Sequence, residues 1–245
     1  MILSGIHPVS EAVRARPREI EWVLFDAGRR DRRIHELRRL CRENGVAVRY
    51  GDRRALDQAA GRSGSHQGVA ARLAVRGYLE EEAAAAGPPG GRFLLVLDEI
   101  QDPQNLGAVL RVADAVGAGV VVPERGSAPL SDTVARSSAG AVERVPVYRA
   151  KNLRRFVDRI QEQGFRVVGL DPGGAELFDL DLTGDLALVM GAEGKGIRRL
   201  VREGCDALGR LPMRGKLASL NVSTAAAAAA YEALRQRASK AKKGS

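Results

Sequence analysis

Residues 93–122, FLLVLDEIQDPQNLGAVLRVADAVGAGVVV, carry the reading on which the fold turns. The apolar run Phe93 to Leu97 has the length of a buried strand. The chain then crosses an Asp102-Pro103 turn, after which Leu106, Val109, Leu110, Ala113 and Val116 recur at helical spacing. A second apolar run, Gly119 to Val122, follows. Further on, apolar runs at Arg166 to Leu170 and Leu186 to Met190 alternate with helical patterns around Leu153 to Gln163 and Ile197 to Glu203. This alternation predicts an α/β domain with a mainly parallel sheet covered on both faces.

Upstream, YLEEEAAAAGPPGG, Tyr78 to Gly91, ends in a run that neither helix nor strand can continue. It reads as an interdomain linker, giving a small α/β domain over 1–75, a linker over 76–91 and a larger domain over 92–245. In the small domain, strands are expected at Trp22 to Phe25 and Ala47 to Tyr50, and helices at Asp31 to Asn44 and Arg53 to Ala60. A Gly/Ser loop bearing His66 and Gln67 then leads into a last strand. His66 either touches a partner through that loop or only orders its turn.

The net charge is +9, and it is unevenly placed. Residues 1–75 hold 15 Arg against 9 Asp and Glu, residues 232–245 hold 5 Arg and Lys against one Glu, and the middle is near neutral. Positive charge at the ends suits a polyanion partner, because phosphate contacts dominate nucleic-acid affinity. No apolar stretch approaches a membrane span, and the start MILSGIHPVSEAVRARP lacks a signal-peptide pattern, so a cytoplasmic protein is expected. Cys41 and Cys205 form no CxxC pair, and His7, His35 and His66 are scattered, so metal-free chemistry is expected.

Three strand-loop-helix junctions can converge beyond the carboxyl ends of a parallel sheet, where ligands bind. In the first, Arg111 lies off the buried stripe of its helix, about 9 Å of rise from Asn105 at 1.5 Å per residue. Because helical side chains lean toward the N-terminus, Arg111 can reach back toward the loop and offer a phosphate or carboxylate site. The second, GAEGKG at 191–196, is not a P-loop, since Gly196 stands where Ser or Thr must follow the lysine. Its glycines let backbone approach a ligand, and Glu193 either accepts hydrogen bonds from a ribose or amine or caps the following helix. In the third, LPMRGKLASLNVSTAAAAAAY at 211–231, Pro, Gly and short polar residues end abruptly on a helix that Ser219, Asn221, Ser223 or Thr224 can cap.

In order and spacing, NLGAVLR (105–111), MGAEGKGI (190–197) and LPMRGKLASLNVS (211–223) resemble the three motifs of the TrmH branch of the SPOUT methyltransferases. GIHPVSEAV (5–13), SHQGVAA (65–71) and SSAGAVERVPV (137–147) resemble its bacterial subgroup acting on guanosine 2′-hydroxyls of 23S ribosomal RNA. The resemblance spans nearly the whole chain. It implies a C-terminal trefoil knot and S-adenosylmethionine as cofactor, with Gly191, Leu211 and Leu220 as main contacts. Met190, Ala192, Ile197 and Met213 are then expected to line the adenosine pocket. It further implies catalytic roles for Asn105, Arg111, Glu193, Ser219 and Asn221. Arg111 is cast in the family as a base, but a guanidinium, which offers donors and no acceptor, is a poor one, and we favour an anchor for the substrate phosphate. A homodimer is implied too, with the Ala225 to Ala230 face near the contact and Arg111 serving the neighbouring pocket. Two alternatives stay open: a transfer RNA ribose methyltransferase with the same motifs, and a non-catalytic ribosome-assembly factor.

Overall fold

A computed structural model describes residues 2–60, 66–73, 77–88, 91–215 and 219–243 of the chain. Backbone contacts divide it into two units, Met1–Gly77 with Leu130–Arg144, and Tyr78–Pro129 with Val145–Ser245. The first unit opens with β1 (Ile2–Ser4), α1 (Ile6–Ala15), β2 (Ile20–Asp26), α2 (Arg32–Glu43), β3 (Val48–Gly51), α3 (Arg53–Ala60) and β4 (Val69–Leu73). The strands lie in the order β1-β4-β2-β3, with only the β2–β3 pair parallel. Helix α2 forms where expected: the Asp31 side chain accepts from the Ile34 amide, and Ile34, Leu37 and Cys41 turn one stripe into the core. The Arg38 guanidinium lies over the rings of Phe25 and Tyr50. Residues 63–65 of the expected SGSHQG loop lie outside the described residues. His66 accepts from the Gly68 amide at 3.0 Å through Nδ1 and bonds Asp57 through Nε2 at 3.1 Å, so its ring orders the turn.

The second unit runs through β5 (Leu79–Glu80), β6 (Phe93–Asp98), α4 (Pro103–Val116) and β7 (Gly119–Pro123). After an excursion containing α5 (Asp132–Ser137), it continues with β8 (Val147–Ala150), α6 (Leu153–Glu162) and β9 (Arg166–Glu176). It ends with β10 (Leu186–Gly191), α7 (Arg199–Glu203), β11 (Ala207–Arg210) and α8 (Val222–Lys243). The seven strands form one sheet, β11-β9-β10-β6-β7-β8-β5, in which every pair is parallel. Leu94, Val96, Ala187 and Val189 pack with residues of α6 and α7 in one core. Leu95, Leu97, Leu188 and Met190 are equally buried and point the other way by strand alternation, which places α4 and α8, packed on each other, on that face. Ala226, Ala229, Ala230 and Ala233 are buried along α8, and their small side chains allow the close approach. Residues 216–218, in the segment that the resemblance threads as a knot, lie outside the described residues. No helix among the described residues is long and apolar enough to cross a membrane.

Three expectations need correction. The stretch 78–86 is not a free linker: Leu79 and Glu80 pair with Tyr148 and Arg149, a 3-10 turn follows over Glu81–Ala86, and Ala84 sits in the core. Buried Glu81 accepts from the Lys151 amide at 3.0 Å and from Arg159 at 3.0 Å, so an acidic run that reads as solvated is anchored by hydrogen bonds. The first unit is also more than the N-terminal 75 residues, because it takes in the excursion around α5. The Ile2 amide donates to Asp132 at 2.6 Å, Arg144 pairs with Glu11 at 2.9 Å, and the buried Glu143 pairs with Arg16. Finally, the helix expected from Ile197 begins at Arg199, because Ile197 and Arg198 are spent closing the preceding loop.

Candidate active site

The C-terminal ends of β6, β10 and β11 share one edge of the parallel sheet, and each releases one of the three motif loops. At the first, Asp102 accepts from the Gln104 amide at 2.9 Å, and Pro103 opens α4, which sets Asn105 in the first turn. At the second, Gly191 stands in register with Asp98, and the loop closes at its neck where the Gly196 amide donates to Ala192 O at 2.8 Å. A Cβ on Gly191 would lie 1.9 Å from the Gly196 carbonyl carbon, so no other residue fits at the strand end. Gly194 and Gly196 take φ of +75° and +68°, the left-handed turns that glycine allows. At the third, Asn221 caps α8: its Oδ1 accepts from the Ser223 amide at 2.9 Å and from Ser223 Oγ at 2.6 Å.

These three ends meet in one hydrogen-bonded network. Asn105 Nδ2 donates to Glu193 Oε1 at 3.0 Å. Asn221 Nδ2 donates to the same oxygen at 2.6 Å and to Asn105 Oδ1 at 3.0 Å. Glu193 therefore does not cap the following helix. It ties the three loops together on an open, solvent-facing surface, with bonds to a charged acceptor that exceed ordinary amide pairs.

Arg111 sits six residues along α4 from Asn105, exposed, with no hydrogen bond or ion pair to the described residues. Ser219 is exposed, two residues before Asn221 in the chain and directly after residues 216–218, which lie outside the described residues. The seven expected cofactor contacts lie at the carboxyl ends of β10 and β11 and in the loops that follow. Met190 and Ile197 are both buried, but Met190 points to the α4/α8 face, whereas Ile197 joins the α6/α7 core and would touch a Cβ on Gly169 at 3.0 Å. Gly191, Ala192, Leu211 and Met213 are half-buried at the strand ends, and Leu220 is 38% exposed. The backbone polar groups of these residues, flanked by their own apolar side chains, suit the flat, weakly polar adenosine portion of S-adenosylmethionine. Among the described residues, no group of three or more His, Cys, Asp or Glu is placed to hold a metal ion.

Two residues of this site escaped the sequence reading. The Asp98 side chain is fully buried and pairs with Arg198, whose Nη2 lies 2.7 Å from Oδ1. A lone acidic residue after an apolar strand, answered by an arginine directly after a glycine-rich loop, was the available signal.

A family model described as "SpoU rRNA Methylase family" matches residues 92–231, and one described as "RNA 2'-O ribose methyltransferase substrate binding" matches residues 2–78. The chain is 43% identical to the 23S rRNA (guanosine-2'-O-)-methyltransferase RlmB of Pseudomonas syringae, over 97% of this chain and 96% of that one. It is 46% identical to the putative TrmH family tRNA/rRNA methyltransferase YacO of Bacillus subtilis, over 81% of both. Among solved structures, the SpoU methyltransferase AviRb from Streptomyces viridochromogenes in complex with AdoMet superposes with a TM-score of 0.81 at 28% identity, covering 98% of this chain and 91% of that one.

Proposed function

Since the chain belongs to the SpoU rRNA methylase family, we propose that it transfers a methyl group from S-adenosylmethionine to a guanosine ribose 2′-hydroxyl in 23S ribosomal RNA. The observation that carries the reading is the Asn105–Glu193–Asn221 network, which locks the three motif loops at one sheet edge. The cofactor supplies the electrophilic methyl. Gly191, Leu211 and Leu220 would hold it through backbone groups, with Met190, Ala192, Ile197 and Met213 lining its adenosine portion.

The residues of the chain then have to align the hydroxyl and loosen its proton. Arg111 is exposed and its guanidinium offers donors and no acceptor, so it anchors the phosphate next to the target ribose rather than acting as a base. That phosphate oxygen is the acceptor for the hydroxyl proton. Ser219 and the Asn105–Glu193–Asn221 network orient the ribose. The match of residues 2–78 to a substrate-binding model supports an RNA-holding role for the N-terminal segment. The enzyme works as a cytoplasmic homodimer, with Arg111 serving the partner's pocket.

Calorimetric titration with S-adenosylmethionine, followed by mapping of the methylated nucleotide in RNA from a deletion strain, tests this directly. Binding, and loss of one guanosine 2′-O-methyl group in 23S ribosomal RNA, is the expected result. A methyl group lost only from transfer RNA would overturn the substrate, and an absence of binding would overturn the activity.

A further inference from the structure

We infer that Asp98 and Arg198 are positioning residues that clasp the Ala192–Ile197 loop to the end of β6 and so set the place of Glu193. The role assigned to them in catalysis rests on the function proposed above. The clasp has two jaws on one residue. The Asp98 backbone pairs in register with Gly191, where the loop leaves β10. Its carboxylate takes the other end: Oδ2 accepts from the Arg198 amide at 2.8 Å, and Oδ1 accepts from Arg198 Nε at 2.7 Å. Arg198 Nη1 also reaches Glu99 Oε1 at 3.2 Å. Glu99 takes φ of +61°, an uncommon conformation for a side-chain-bearing residue, at the turn that opens the first motif loop. One guanidinium therefore joins the two loops whose tips meet at Asn105 and Glu193.

The loop needs such a restraint. Its glycines at 194 and 196 leave the backbone free to adopt many shapes, and among the described residues the neck bond and the Glu193 network are what hold its interior. Glu193 must accept from two amides at once, which a displacement of about 1 Å would break. Burying a carboxylate is costly unless it is paired, and an apolar pair of similar volume commonly gives equal or greater stability. A buried carboxylate answered here by a guanidinium that is itself 47% exposed is therefore better explained by the registry it imposes than by stability.

Arg198→Lys in the full-length chain tests the inference, because it keeps the charge and the fold but loses the planar fork. Hydrogen exchange of the amides at 192–198, read without any ligand, should accelerate. Methyl transfer should fall on the order of 10- to 100-fold in kcat, with KM for RNA little changed. In a cycle with Glu193→Gln, the lysine substitution should add little to the loss already present. Should Arg198→Lys still disturb folding, Asp98→Asn offers a second approach, since it spares the Arg198 amide bond and should accelerate the same amides. Unchanged exchange, unchanged kcat, or multiplicative losses in the double variant would each overturn the inference. A wild-type chain with no methyl transfer would instead overturn the proposed function, and exchange would still decide whether the clasp holds the loop.

Discussion

Glu193 and Asn221 are joined by a 2.6 Å hydrogen bond that links the glycine-rich loop to the cap of the last helix. The same Asn221 holds Ser223 through Oδ1, so its amide is oriented from both ends. Replacing Glu193 by Ala should therefore release two loops at once. We expect turnover to fall on the order of 100-fold, with the thermal midpoint lowered only modestly, since the two bonds lost lie on a solvent-facing surface outside the core. Steady-state rates beside a melting curve check this, and a large drop in the midpoint would make Glu193 a structural residue instead.

Arg111 should behave differently from an ion-paired arginine. It is exposed and has no partner among the described residues, so Arg111→Lys should leave folding and S-adenosylmethionine affinity intact. Turnover should drop sharply, because an ammonium cannot reproduce bidentate contact with a phosphate. A lysine variant with wild-type turnover would reduce Arg111 to a general electrostatic role.

Gly191→Ala should fail sterically. The added methyl carbon would fall 1.9 Å from the Gly196 carbonyl carbon and 2.2 Å from the Ile197 amide nitrogen, both backbone atoms that cannot rotate away. We expect destabilisation of at least about 1 to 3 kcal/mol, the range for overpacked sites, with loss of cofactor binding. Denaturant melts and calorimetry read the two effects, and an alanine variant with wild-type affinity would show that the strand end can yield.

The central strands were legible because each is a run of apolar residues buried on both faces; Phe93 to Leu97 and Gly119 to Val122 cannot be anything exposed. Strands β8 and β11 were not, since VYRA and ALGR are four residues long and carry an arginine each. The excursion around α5 was illegible for another reason: its partners, Ile2, Glu11 and Arg16, lie more than a hundred residues away, and nothing local announces them. At the site, the motif residues Asn105, Glu193 and Asn221 come together as the strand-loop-helix pattern implied. The opposed directions of Met190 and Ile197 depend on strand alternation and loop closure, which a linear motif does not encode.

The two cysteines should be nearly inert in the native protein. Burial pushes both thiols up to about 11, and the negative charge of Asp206 adds to the effect at Cys205. A disulfide reagent at pH 8 should thus label them slowly when folded and fully in denaturant. The sign for stability follows from the raised folded values: the contribution is present below the unfolded thiol pKa near 9 and is lost as pH rises toward 11. Stability measured across that window should fall, and a rise would mean that the thiols are ionised in the native state.

The last expectation concerns RNA affinity on α2. Its charge is less available than composition implies, because Arg32 and Arg39 pair along the helix with Glu36 and Glu43, and Arg38 covers Phe25 and Tyr50. Arg33 and Arg42 remain exposed, with no ion pair to the described residues. If this helix meets the RNA backbone, reversing both to Glu should weaken binding and flatten its salt dependence. Each phosphate contact contributes about 0.7 to 0.9 to the slope of log affinity against log salt, so losing two should lower the slope by about 1.4 to 1.8. Affinity for S-adenosylmethionine, bound in the other unit, should not change. Filter binding across a salt series measures the slope, and an unchanged slope in the double variant would move the RNA contact off α2 to another basic surface of the chain.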